Sequence, residues 1–238
     1  VTNGLQSLLL ILLGGATLHA SLTNTYLRYV KAELRPWLII TGILLVVLGA
    51  VTAWQHRNAG TDGHEHGHGA QPRVAFLLLL PVLVLVVLSP PPLGAFLASK
   101  SQPRPPKQVA RPVQVDKPDG APLTIDLSDY ISAAVYDDGK GLADREIHMV
   151  GFATHSANGW DLTRMVMVCC AADAYPVHVH VEGAPPPPEN TWVEVTGRYL
   201  PARRDPSLPA TSTRAWTVLI EATSVQDIPV PDEPYERG

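Results

Sequence analysis

The chain has 238 residues, 46% of them hydrophobic, with 23 prolines and a formal net charge of −4. That length holds one membrane module and one small globular domain, and the mild negative charge gives no case for nucleic-acid binding, which needs a basic stripe. The 2 cysteines are adjacent in sequence; disulfide geometry prefers well-separated Cα atoms, so no disulfide framework can be drawn and free or metal-bound thiols are expected.

A mean hydropathy of +0.08 hides a very apolar N-terminal third. Residues 5–22 and 37–54 are apolar stretches, the second with Trp37 and Trp54 at its ends, and 74–88 is a shorter one carrying Pro81. A spanning helix needs roughly 20 mostly apolar residues, and aromatic residues favour the membrane–water interfaces. Three transmembrane helices are therefore expected over 1–89, the third completed by Leu93-Gly94-Ala95-Phe96-Leu97. A cleaved signal peptide is the competing reading of 5–22; no basic region precedes it and a second span follows at once. Val1 is read as an initiator encoded by a valine codon. Lys/Arg excess marks the cytoplasmic side. Arg28, Lys31 and Arg35 in the first loop, with Lys100, Arg104, Lys107 and Arg111 after the third stretch, place the N-terminus outside and the C-terminal domain in the cytoplasm.

The loop at 55–73 carries His64, His66 and His68, with Asp62 and Glu65 among them and Gly63, Gly67 and Gly69 around them. Imidazole is the usual ligand for zinc, copper and nickel, and glycine lets a chain wrap an ion. Nitrogen and carboxylate ligands without sulfur suit Zn(II) better than Cu(I). The bland alternative is a hydrophilic connector between two spans.

Residues 90–122 are rich in Pro, Lys, Arg and Gln and are expected as a semi-rigid linker. The globular part is expected over 123–228, with a tail at 229–238. Ser128-Asp129 is expected to cap a short helix that Asp137-Asp138-Gly139 ends. Strand signals then recur: Glu146–Phe152, Trp160–Val168 after an Asn158-Gly159 turn, Pro176–Val181, Thr191–Tyr199 and Ala215–Ile220. Strict alternation over Pro176–Val181 puts the valines on one face and His178 and His180 on the other. Five short strands, with glycine near the ends of the first and fourth, predict a small all-β, OB-like barrel with a short helix; an unclosed, sandwich-like sheet is the alternative. Acidic residues outnumber basic ones on these strands, which argues against the basic groove that single-stranded nucleic acid needs.

Cys169, Cys170 and Asp173 fall where the second strand should turn into the third. Sulfur and imidazole suit four-coordinate zinc, so these residues are candidate metal ligands, with His178 and His180 able to converge on the same ion. Successive strand positions face opposite ways, which would leave one thiol free to ligate and pack the other inside. Cysteine is also among the most buried residue types, so a core role stays open, as does a redox-sensitive thiol. No nucleophile elbow, phosphate-binding glycine loop or His-Glu-x-x-His helix occurs, and no enzymatic activity is expected.

The order of parts resembles the YcgQ-like bacterial permease-subunit family. The resemblance rests on Leu27-Arg28-Tyr29-Val30, the His-rich loop, Gly151-Phe152, Leu162-x-Arg164, Cys170-x-Ala172-Asp173, Trp192-x-x-Val195-x-Gly197 and Asp232-Glu233-Pro234-Tyr235. It implies a multi-pass cell-membrane protein working beside a separate polytopic permease of YcgR type, with a part in zinc or related divalent-metal homeostasis. The expected partners are that permease, a divalent ion such as Zn(2+) and membrane lipid. The competing expectation is a membrane-tethered β-barrel scaffold, or a thiol redox sensor, without metal transport.

Overall fold

A computed structural model describes residues 3–58, 93–100, 122–156, 158–209 and 215–237. Its contacts divide the chain into two units, Val1–Pro91 and Pro92–Gly238.

The first unit is an antiparallel helix pair, α1 (Asn3–Leu22) and α2 (Arg35–Asn58), joined through two single 3-10 turns. Small residues recur at Ser7, Gly14 and Ser21 on α1 and at Gly42 and Gly49 on α2. This spacing puts each set on one helix face, and the two faces form the seam. A Cβ on Gly14 would stand 2.8 Å from the Gly42 carbonyl oxygen, and one on Gly49 3.0 Å from that of Ser7. Such close backbone approach is how small residues pack helices where water does not drive association. Among the described residues, the outer side of α2 carries exposed apolar side chains, with Trp37 67% and Trp54 65% exposed.

Among the described residues, one helix is long and apolar enough to cross a membrane: Ala32–Gln55, most of it exposed. The apolar part of α1, Gln6–Leu22, is shorter. The expectation of three transmembrane helices thus narrows to one helix of spanning length packed on a shorter apolar partner. The third stretch, 74–88, lies outside the described residues, as do His64, His66 and His68 and residues 101–121 of the expected linker.

The second unit contains α3 (Ala95–Lys100), β1 (Leu123–Thr124), α4 (Leu127–Tyr136), β2 (Ile147–Ser156), β3 (Gly159–Met167), β4 (Tyr175–Glu182), β5 (Trp192–Arg204), β6 (Trp216–Asp227) and β7 (Tyr235–Arg237). The sheet runs β1-β2-β5-β6-β4-β3-β7, and an added β2–β3 pairing closes five strands into a barrel. The unclosed sheet is thereby overturned. β4 and β6 pair in parallel, while the other barrel neighbours are antiparallel. Closure brings backbones close where a side chain would obstruct them. A Cβ on Gly151 would lie 2.6 Å from the Thr163 carbonyl oxygen, and one on Gly197 would collide with that of Glu221.

The barrel interior follows the alternation of its strands. Val177, Val179 and Val181 of β4 point inward with Leu162, Val193, Val195 and Ile220, and Tyr130 and Leu127 of α4 join the same cluster. A second cluster lies on the outer face: Phe152, Met165, Met167, Trp192 and Tyr235, covered by Ala95 and Ala98 of α3. Residues 93–100, expected in the linker and third span, are therefore part of this unit. The Leu93 N–H donates to the Tyr235 hydroxyl at 3.0 Å, and the Ala95 N–H to Asn190 Oδ1 at 2.9 Å.

Two further expectations are corrected. The segment 229–238 is not a free tail, because Tyr235–Arg237 pairs in parallel with Met165–Met167. Helix α4 is not capped by Ser128-Asp129; its N-terminal N–H groups at Leu127 and Ser128 are taken by the Glu236 carboxylate at 2.7 and 2.9 Å. Its other end is as expected: Gly139, at φ +67, donates its N–H to the Ala133 carbonyl at 3.0 Å.

Candidate functional site

Strand β3 ends at Met167 where its pairing with β7 ends, and the chain turns through Val168–Asp173 into β4. The turn is organised by one carboxylate. Asp173 Oδ1 accepts the Val168 N–H at 2.9 Å, and Oδ2 accepts the Cys169 N–H at 2.9 Å and the Cys170 N–H at 3.2 Å. The Cys169 thiol donates to the same Oδ2 at 2.6 Å, and the Cys169 and Cys170 sulfurs lie 3.8 Å apart. Cys169 is exposed and Cys170 half-buried. Neither thiol belongs to the core, because the strand has already ended and the turn no longer alternates between faces.

Charge follows from these bonds. The Asp173 carboxylate beside it, and then the Cys170 thiol, push the Cys169 thiol up to about 11. Partial burial works to raise Asp173, but the Cys169 thiol and the backbone N–H groups of Val168, Cys170 and Cys169 together outweigh it and hold the carboxyl down at about 2. At neutral pH the site is a protonated thiol sharing its proton with a carboxylate.

One ligand atom from each of Cys169, Cys170 and Asp173 can be chosen so that all three lie within 4.8 Å of one another. In tetrahedral zinc sites with Zn–S of about 2.3 Å, two sulfurs stand about 3.8 Å apart. The 3.8 Å separation of the two thiols matches that edge. A sulfur and a carboxylate oxygen on the same ion would stand about 3.5 Å apart, so the 2.6 Å contact of Cys169 with Asp173 is a hydrogen-bonded edge that must open by about 1 Å to admit an ion. Three ligands on an exposed turn leave the fourth position open, as in sites that exchange their ion or bound group.

His178 and His180 are not brought to this cluster. They occupy the outer face of β4, as the alternation requires, but further along the strand. His178 Nδ1 meets Thr163 Oγ1 at 2.8 Å, and burial pushes the imidazole below its ordinary range. His180 Nδ1 bonds Asp161 Oδ1 at 2.7 Å. Among the described residues no third ligand joins either histidine.

Sequence reasoning named Arg164 only as part of a motif. The structure places it at a cleft of about 570 Å3 lined also by Thr124, Asp126, Val150, Ile228 and Val230. Its guanidinium donates to the carbonyls of Val150 at 3.0 Å and Glu233 at 2.7 Å and lies 5.2 Å from the Trp192 ring centroid. An arginine two residues beyond an inward-facing leucine was the available signal; its carbonyl partners lie 14 and 69 residues away and carry none.

The described parts thus define a class: an apolar helix pair in one chain with a closed β-barrel domain that presents a dithiol–carboxylate turn. The model of the DUF1980 C-terminal domain matches residues 110–236, more than half of the chain, and the protein belongs to that family. That stretch includes the whole barrel, the thiol turn and the Glu236 cap. No curated protein and no solved structure matches the chain.

Proposed function

We propose that this protein is an accessory subunit of a membrane permease, working beside a separate polytopic partner in the transport or homeostasis of zinc or another divalent metal. The observation that carries the metal part is the Cys169–Cys170–Asp173 cluster, whose sulfurs stand at the 3.8 Å edge expected of a tetrahedral zinc site. The membrane part is supported by α2. The 17 helical steps from Trp37 to Trp54 rise about 25 Å, close to the hydrocarbon thickness of about 30 Å. Both tryptophans are well exposed at the ends of an apolar helix that is largely exposed outside its seam with α1. In this reading residues 74–88 form a third span, the protein is multi-pass in the cell membrane, and the β domain lies on the cytoplasmic side. The parallel closing pair β4–β6 in the ring β2-β5-β6-β4-β3 supports an OB-type barrel. His64, His66 and His68 capture ions in their loop, and the thiol turn responds to them. The domain's part is binding and docking rather than catalysis.

A scaffold reading without metal has one observation in its favour: Asp173 already accepts four hydrogen bonds, so the turn is ordered with no ion. The redox-sensor reading loses support at Cys169, whose thiol, pushed up to about 11, is almost wholly protonated at neutral pH. Calorimetric titration of zinc into the full chain in detergent separates metal handling from the scaffold. Metal handling predicts a site lost in Cys169→Ala/Cys170→Ala and a separate one lost in His64→Ala/His66→Ala/His68→Ala. The scaffold predicts that neither variant changes the titration.

A further inference from the structure

Helix α3 is divided by face. Ala95 and Ala98, each 4% exposed, close the outer cluster over Met165 and Met167, while Phe96 is 75% exposed and Leu97 37%. Val168, 40% exposed, follows Met167 directly and is followed by Cys169. Phe96 and Leu97 are thus exposed apolar residues on the helix, and Val168 one at the strand end, of elements that share this cluster. Val168 stands directly before the thiol turn, and exposed Lys100 one helical turn beyond Phe96. Such a combination suits a lipid surface, where an aromatic ring enters the interface and a lysine reaches the headgroups.

The chain itself says what covers these side chains. Four residues separate Leu88, the end of the apolar stretch 74–88, from Leu93, and the five Cα–Cα steps between them reach at most about 17 Å when extended. Leu93 and Ala95 are in turn tied to the barrel through Tyr235 and Asn190. Gly94 permits this, since a Cβ there would collide with the Asn190 side chain. With 74–88 read as a span, the chain length alone keeps the barrel within that reach of the bilayer. We propose that the β domain docks on the bilayer through Phe96, Leu97 and Val168, so that the Cys169–Cys170–Asp173 turn works at the membrane surface. This rests on reading 74–88 as a span. Docking confines the turn next to a partner's membrane face, and a weak contact suffices because the tether supplies a high local concentration.

The test is spin-label accessibility on the full chain in nanodiscs of phosphatidylcholine and phosphatidylglycerol, in a Cys169→Ser/Cys170→Ser background. Labels are attached through Phe96→Cys, through Asn158→Cys at the opposite end of β3, and through Val84→Cys. All are single changes, and positions 96 and 158 are exposed, so folding is not at stake there. Docking predicts that the label at 96 collides preferentially with oxygen and about tenfold less than the label at 158 with a neutral nickel chelate. Equal nickel accessibility at 96 and 158 overturns it. Position 84 tests the span separately: lipid exposure at 84 with water exposure at 96 overturns docking and leaves the span standing. Water exposure at 84 overturns the span, while position 96 still decides docking.

Discussion

Glu236 Oε1 accepts the N–H of Leu127 at 2.7 Å, so a carboxylate 109 residues further along the chain caps helix α4. Its second oxygen takes the Ser128 N–H at 2.9 Å. A carboxyl at a helix N-terminus satisfies unpaired donors, and here burial, which pushes the Glu236 carboxyl up, is opposed by the two N–H groups it accepts from. The contact also fastens β7, and with it the outer cluster, to the inner one.

Removing that cap leaves one buried and one part-buried donor unpaired. Glu236→Ala should cost about 1–2 kcal/mol. It should also raise hydrogen exchange at the Leu127 and Ser128 amides more than at Val179 in the barrel interior. Unchanged exchange at the helix start would mean that another group caps α4.

The depressed Asp173 carboxyl makes the stability of the thiol turn dependent on pH. Its folded value of about 2 lies below the unfolded value, which is about 3.9. The contribution is therefore fully present above about pH 4 and lost as pH falls through about 2. For so exposed a group it amounts to about 1 kcal/mol or less. Thermal melts of the full chain should show Asp173→Asn less stable than wild type at pH 6, with the gap closing by pH 2. A gap independent of pH would contradict the assignment.

Alkylation reports the other half of the same bond. With its thiol pushed up to about 11, Cys169 should react slowly with iodoacetamide at pH 8 despite being exposed. Asp173→Asn withdraws the negative acceptor, and the rate at Cys169, followed by peptide mass spectrometry, should rise at least about tenfold. Equal rates would show that the carboxylate does not hold the thiol protonated.

The helix pair offers a comparison between neighbours. Gly14 sits in the α1–α2 seam, whereas nothing lies within 4 Å of a Cβ on Gly15. Gly14→Leu should separate the helices at a cost of about 1–3 kcal/mol, as overpacking does. Gly15→Leu should leave the melting temperature of the detergent-solubilised chain unchanged. Equal effects would place the seam elsewhere.

Much of the barrel was legible because its signals are local. Alternation at Val177, Val179 and Val181 and the glycines at 151 and 197 each bear on a strand or its immediate neighbour, and the five strands appear where those signals lie. What could not be read depends on long-range partners. Nothing near Leu127 announces Glu236, and nothing near Ala95 announces that α3 belongs to the barrel rather than to a span. At the site, sequence brought Cys169, Cys170 and Asp173 to one turn but also offered His178 and His180. Strand register decides that point, placing those two opposite Thr163 and Asp161.

The account turns on whether the dithiol turn takes a metal ion. The most direct measurement is titration of Cd(II), a thiophilic stand-in for zinc, into the full chain, read by the ultraviolet thiolate-to-metal charge-transfer band that histidine ligands do not produce. The account predicts a band that saturates near about one equivalent, as a single closed ligand set requires, and that is absent from Cys169→Ser/Cys170→Ser. A wild-type chain that shows no such band with Cd(II) in excess would contradict it and return the turn to a purely structural role.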